Sequence, residues 1–218
     1  MLNNTGAEML KPLLMNLPFI ETVKIADSFP SCHYDFDRMR KIGLRYTGSI
    51  SRWYFYAFPE LTTDLHPPLK FSITPTKTTP IVLNRSERYH NPTFDYRILA
   101  PYMNMITFVG LETEYNILKR KLPGMVYHPV KDFAEMASIV LGSRVFIGNQ
   151  SMAYSIAEIA GHNRILEVCP YAHNCIPMTP NGKDCANLQN LFEHIKLQFP
   201  KHEQMIKERA SMATDEHL

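Results

Sequence analysis

The sequence predicts an α/β protein, with a parallel sheet over residues 78–200, helices on both faces, and a smaller α/β unit in front of it. Three observations predict this. From Thr79 to about Phe199, short apolar runs alternate with amphipathic stretches of helical length. Leu122-Pro123-Gly124 and Gly161 are helix stop signals, and Asp132-Phe-Ala-Glu135 is a helix start, with Asp as cap and Glu reaching back to it. Strands separated by such helices have to be joined by right-handed crossovers, which makes them parallel.

The elements follow in order. Residues 1–59 are aromatic-rich, and Thr5 to Leu17 reads as a helix. Arg52 to Phe58 reads as a core or interface strand, with sugar stacking as the alternative. Residues 60–78 are rich in Pro and Thr and read as a linker, so the expected division is 1–77, 78–200 and a polar tail, 201–218. Within the second part, strands are expected at Pro80–Asn84, Ile106–Gly110, Met125–His128, Arg144–Ile147 and Arg164–Val168. Helices are expected at Asn91–Ala100, Glu112–Lys121, behind Asp132, from Ser151 to Ala160, and at Leu188–Phe199. Phe133, Met136, Ala137 and Val140 share one face of the helix behind Asp132.

The composition excludes several classes. The chain has 218 residues, 45% hydrophobic, enough for a sizeable core. A net charge of +2 without a basic block argues against nucleic acid as a partner. No apolar run approaches the roughly 20 residues that span a bilayer, and no signal peptide is read, so a cytoplasmic protein with reduced thiols is expected. Cys169, Cys175 and Cys185 lie near His173, but their spacing fits no C-x-x-C pattern. Buried free thiols are expected rather than a metal site.

Ligands of such sheets bind at the carboxyl ends of the strands, so the loops there hold the candidate site. Gly148-Asn149-Gln150-Ser151 turns from strand to helix and offers free amides and a positive dipole end to an anion; a plain turn with a serine cap is the alternative. In Asn84-Arg85-Ser86-Glu87-Arg88, the two arginines suit a diphosphate, or else simply a solvated loop. Glu112 and Glu114 suit ribose hydroxyls or the start of a helix, and Tyr127 and His128 could flank a base, with core packing as the alternative for Tyr127. Asp35 and Asp37 could act as a base or as metal ligands, or else mark a helix start or a surface turn. There is no G-x-S-x-G, G-x-x-x-x-G-K-[ST] or G-x-G-x-x-G.

The run from Pro80 to Gly182 resembles the donor-binding half of the heptosyltransferase-like glycosyltransferases (family 9 type), two-domain enzymes of GT-B architecture. The resemblance rests on Phe108-Val-Gly110 with Glu112 and Glu114, Asp132-Phe-Ala-Glu-Met-Ala137, Val145-Phe-Ile-Gly-Asn-Gln-Ser151 with Ile156-Ala-Glu158, and Arg164-Ile-Leu-Glu-Val168. It implies a Rossmann-like sheet that takes a nucleotide-diphosphate sugar and passes the sugar, with inversion, to a glycan, lipid or protein acceptor. By the same resemblance, Asn84, Ser86 and Arg88 would meet the diphosphate. Glu114 or Glu112 would meet the ribose, the backbone from His128 to Val130 would border the base, and Gly148 to Met152 would cradle phosphate and sugar. Gln150 stands where the family has an acid, Met152 where it has a glycine, and Ser155 where it has a histidine. The base would come from His33, Asp35 or Asp37. No cofactor is implied. The rival reading is a sugar-nucleotide-binding or assembly module, with Arg52 to Phe58 as a partner or homo-oligomer surface.

Overall fold

The computed structural model describes residues 4–26, 31–43, 48–61 and 68–206. Six strands, β1 (Ile81–Asn84), β2 (Ile106–Phe108), β3 (Val126–Tyr127), β4 (Val145–Gly148), β5 (Arg164–Glu167) and β6 (Gly182–Cys185), form one sheet. Their order is β3-β2-β1-β4-β5-β6, and every pair is parallel. This is the doubly wound, Rossmann-like order expected from the alternation of strands and helices. Around the sheet lie α1 (Asn4–Met15), α2 (Ile50–Ala57), α3 (Glu112–Lys119), α4 (Phe133–Gly142), α5 (Met152–Ile159) and α6 (Leu188–Gln198). None of the described helices is long and apolar enough to cross a membrane.

The strands read as unbroken apolar runs because both faces of the sheet are covered. Ile81, Leu83, Phe108 and Ile147 pack on one face against Tyr96, Leu99 and Tyr102, Tyr115 and Leu118 of α3, and Leu191 and Ile195 of α6. Val82, Phe146 and Leu166 point the other way, onto Met136, Ala137 and Val140 of α4 and Ala153, Ile156 and Ala157 of α5. Leu13 of α1 joins this second core, and α1 packs along α4. Full burial of each large apolar side chain contributes about 1.5–3 kcal/mol.

Four expectations are corrected. Arg52 to Ala57 belongs to a helix that Phe58 ends, not a strand: Trp53 and Ala57, one turn apart, are buried, and Ile50 and Tyr54 pack beside them against Met39 and Phe58. The 50, 53, 54, 57 spacing is a helical stripe, and it overrides the strand preference of aromatic residues. Among the described residues before 80 there are helices and no strand, where an α/β unit was expected. The helix expected at Asn91 starts later and is a 3-10 helix, Tyr96–Met105, capped by Asp95, whose carboxylate accepts from the amide of Arg97. Asn91 instead makes a local turn, its side chain accepting from the amide and hydroxyl of Thr93. At the start of α4, Asp132 caps the amide of Glu135 as expected, but the Glu135 carboxylate accepts from Lys131 rather than from the cap residue.

The linker after residue 67 is pinned down. Leu69, Ser72 and Thr76 donate their amides to the carbonyls of Ile159, Asn16 and Ser138. Beyond α6 the chain is helical again from Pro200 to 206, and the rest of the expected tail lies outside the described residues. Strand β6 was not expected, since Gly182-Lys-Asp-Cys185 has no apolar run. Its approach is fixed instead by Arg164, a fully buried side chain at the start of β5. The Arg164 guanidinium donates to the carbonyls of His162, Thr179 and Pro180, to the Thr179 hydroxyl, and to Glu158 of α5.

Two predictions follow from this packing. Glu167 at the end of β5 is buried and accepts from Arg85 (Nε, 2.9 Å; Nη2, 3.0 Å), the Asn91 amide and the Tyr96 hydroxyl. Glu167→Ala strands those donors and is expected to cost about 3–5 kcal/mol in denaturant unfolding. His162 accepts or donates at the Ser143 hydroxyl, and burial, followed by the charge of Arg164, pushes its pKa down to about 4 from 6.5. The unfolded chain therefore takes up a proton that the folded chain refuses, so stability falls as pH drops from about 6.5 to about 4. In His162→Gln the unfolding midpoint should change less across that window; an equal slope in both proteins would rule out His162 as the titrating group.

Candidate functional site

β1 and β4 are neighbours in the sheet, yet the chain leaves them in opposite directions across it. Their last residues, Asn84 and Gly148, are in register. Such a reversal opens a crevice beyond the carboxyl ends of the two strands, where ligands of doubly wound sheets bind. The loop 85–90 and the turn 149–151 border that crevice.

Gly148 is required by space. A Cβ there would come within 2.6 Å of the Asn84 carbonyl oxygen. Gly110, after β2, is required by conformation as well: its φ is +147, and a Cβ would meet the Asn84 side chain at 2.6 Å. The Asn84 amide is held in turn, its Nδ2 donating to the Val109 carbonyl at 2.7 Å. That orientation leaves Asn84 Oδ1 buried without a hydrogen-bond partner among the described residues, and Gln150 Oε1 is buried in the same way.

Asn149, expected among the ligand contacts, is fully buried and fastens the two loops together. Its Oδ1 accepts from the Ser86 amide at 2.9 Å, and its Nδ2 donates to the carbonyls of Ser86 and Arg88 at 3.0 and 2.6 Å. The Ser86 hydroxyl also donates to the Arg88 carbonyl. Tyr89 takes the left-handed conformation that this tight loop demands. The Arg88 guanidinium is left exposed, 5.7 Å from the centre of the Tyr89 ring. Arg85, the other expected diphosphate ligand, is instead engaged in its ion pair with Glu167 and lies over the Tyr96 ring.

Glu114 is buried, and both carboxylate oxygens are in use: Oε1 accepts from the Glu87 amide at 3.2 Å and Oε2 from Leu111 at 3.1 Å. It thus ties loop 85–90 to the start of α3. It still lines a cavity of about 140 Å³ with Ser86, Glu87, His90 and Ile117. Glu112 is exposed in the first turn of α3. His128 is half-buried, with Nε2 at 3.9 Å from Glu135, and its amide extends the pairing to Phe108. Tyr127 donates to the Gly110 carbonyl; burial, then Glu112 and Glu114, raise its pKa above the ordinary phenol value. Ser151 caps α5 through Tyr154, and Ser155 is exposed one turn on, its hydroxyl donating to the Ser151 carbonyl.

The structure brings Asn84, Ser86, Arg88, Gly148, Asn149, Gln150 and Ser151 to the two loops of the crevice and sets Glu114 against loop 85–90. His33, Asp35 and Asp37 are exposed. Asp35 accepts from the amide of Asp37 and starts the 3-10 helix Phe36–Lys41, while Asp37 pairs with Arg40 at 3.0 Å. These bonds stay within their own turn. Cys169 and Cys185 are buried, Cys175 is half-buried, Cys32 is exposed, and all four are free thiols. Sequence reasoning missed Glu167 and Asn91. The only signal for them was a carboxylate at the end of an apolar strand and an Asx turn before a helix. A larger cavity, of about 410 Å³, lies along α5, and Ser155, one turn beyond Ser151, is part of its lining.

No protein-family model and no curated protein matches this sequence. Among solved structures, the glycosyl transferase family 9 protein from Veillonella parvula DSM 2008 is similar at 14% identity and a TM-score of 0.48, with the match covering 78% of this chain and 62% of that one. The chain thus spans less than two thirds of that protein's length.

The stitch across the crevice can be tested by stability. Asn149→Ala removes the groups that satisfy Ser86 and Arg88 and is expected to cost about 1–3 kcal/mol. Ser151→Ala removes only a cap, about 1 kcal/mol. Chemical denaturation of the two variants should rank them in that order, and the reverse order would show that the loops are held by other contacts.

Proposed function

We propose that this chain binds a nucleotide-diphosphate sugar in the crevice beyond β1 and β4 and, as a glycosyltransferase, passes the sugar to a glycan, lipid or protein acceptor. The observation that carries the reading is the in-register pair Asn84 and Gly148 at the reversal of a doubly wound sheet, with the start of α5 facing the same opening. Amides at that helix start, together with its dipole, favour an anion. In transfer, negative charge grows on the departing nucleotide diphosphate. Fixed donors at the start of α5 and the Arg88 guanidinium would stabilise that charge more than the ground state, which is how such a site lowers the barrier. Ser86 would contribute from the same loop, and Glu114 or Glu112 would accept ribose hydroxyls. His128 would flank the base, and Gln150 and Ser155 would meet the sugar.

Deprotonation of the acceptor hydroxyl would fall to Asp35, Asp37 or His33, since a base has to come within hydrogen-bond reach. A second reading has its own support. Asp35 and Asp37 are bonded within their own turn, which favours a module that binds the sugar nucleotide without transferring it.

Calorimetry against ADP-, GDP-, UDP- and CMP-sugars tests the common part of both readings: one class should bind, and Arg88→Ala should weaken it by about 1.5–3 kcal/mol, roughly 10- to 150-fold. Unchanged affinity in Arg88→Ala would move the site elsewhere, and silence from the whole panel at about millimolar concentration would end both readings. Release of free nucleotide diphosphate, abolished in a combined Asp35→Asn, Asp37→Asn variant, separates the enzyme from the binding module.

A further inference from the structure

We propose that the larger cavity, enclosed by the start of α2, the outer side of α5 and the loop after β5, is a binding site for a single aliphatic chain. Its volume, about 410 Å³, lies within the range of about 300–1,000 Å³ typical of small-molecule sites. The wall is built from Ile50, Leu69, Tyr154, Ile159, Ile176 and Met178. The Ile50 amide anchors the start of α2 to the Asn174 carbonyl at 2.7 Å, and the Leu69 amide fastens the linker to the end of α5.

The chemistry of the occupant follows from what the wall does not offer. The hydroxyls of Ser49 and Ser51 bond each other at 2.7 Å. Ser155 donates to the Ser151 carbonyl and Thr179 to the Glu158 carbonyl. The Glu158 carboxylate accepts from the amides of Met178 and Thr179, from the Tyr154 hydroxyl, and from Arg164, which neutralises it. The Cys175 thiol is pushed up to about 12, by burial first and then by Glu158, and stays protonated. Among the described residues, every polar side chain of the wall other than that weak thiol already has a protein partner, and no unpaired charge faces the space. A charged or strongly polar ligand would lose its water and gain nothing, whereas an aliphatic chain sheds only unfavourable hydration. At the rim, Ser51, Ser155, Ile159 and Ile176 are exposed, so a polar head attached to the chain stays in water. Ser155 at the rim would also border the sugar side of the crevice beyond β1 and β4, but the apolar wall does not depend on whether that crevice takes a nucleotide sugar.

The test is titration of the full chain with cis-parinaric acid, whose fluorescence rises when its hydrocarbon chain leaves water. Saturation at one probe per chain is expected. Ile176→Asp puts a charge on the rim and Ser51→Trp fills the mouth. Each should weaken binding at least about tenfold, with unfolding midpoints that match the parent. Sedimentation of the same proteins distinguishes a second copy seated in the cavity. The proposal is overturned by a parent protein that shows no saturation at about 100 μM probe, by undiminished binding in Ser51→Trp, or by a parent dimer that Ile176→Asp dissociates while the probe fails to bind.

Discussion

Strand β5 buries an opposite charge at each end, and much of the architecture is arranged around that burden. Arg164 and Glu167 are three residues apart, so they point to opposite faces of the sheet. Arg164 has no exposed surface and Glu167 almost none. An unpaired charge in such a place would cost several kcal/mol, so each has to be met by groups brought from elsewhere in the chain. On one face, Arg164 gathers Glu158 and the carbonyls of residues 179 and 180, which lays β6 alongside β5. On the other face, Glu167 gathers Arg85, Asn91 and Tyr96, which bends the chain leaving β1 over the end of β5.

That second cluster sets the limits of the candidate site. Arg85 follows the last residue of β1, yet its charge is spent inside the fold. The loop beyond it is fastened twice more, to Asn149 across the crevice and to Glu114 at the start of α3. Polar residues that look available for a ligand in the sequence are therefore partly consumed in holding the loop. What stays exposed at the crevice is narrower, the Arg88 guanidinium and the start of α5, while the side-chain oxygens of Asn84 and Gln150 are buried without hydrogen-bond partners among the described residues. A loop held this firmly is pre-organised, and a ligand bound there has little ordering left to offset.

The sheet and the smaller helical unit also differ in how they are held. The sheet is packed on both faces by large side chains, many of them fully buried. The helix α2 and the 3-10 helix before it form a small core of their own around Trp53, Met39 and Phe58. The Ile50 amide, donating to the Asn174 carbonyl, ties them to the loop after β5 beside the larger cavity. The larger cavity, of about 410 Å³, thus lies at this seam.

The sequence by itself determined strands β1 to β5, most of the helices that cover them and their parallel arrangement, because those elements are fixed by local period and by caps such as Asp132 and Ser151. Only the tertiary structure decided β6, because a polar edge strand has no apolar period and exists through the grip of Arg164. It decided the helical state of residues 50–57, where burial of Trp53 and Ala57 on one face outweighed the strand preference of the aromatic residues. And it decided which side chains at the strand ends are free. Arg85 and Arg88 are indistinguishable by type and loop position, but one lies within reach of Glu167, 82 residues further along the chain, and the other does not. A pairing over that distance depends on the closed sheet, and no local pattern carries it.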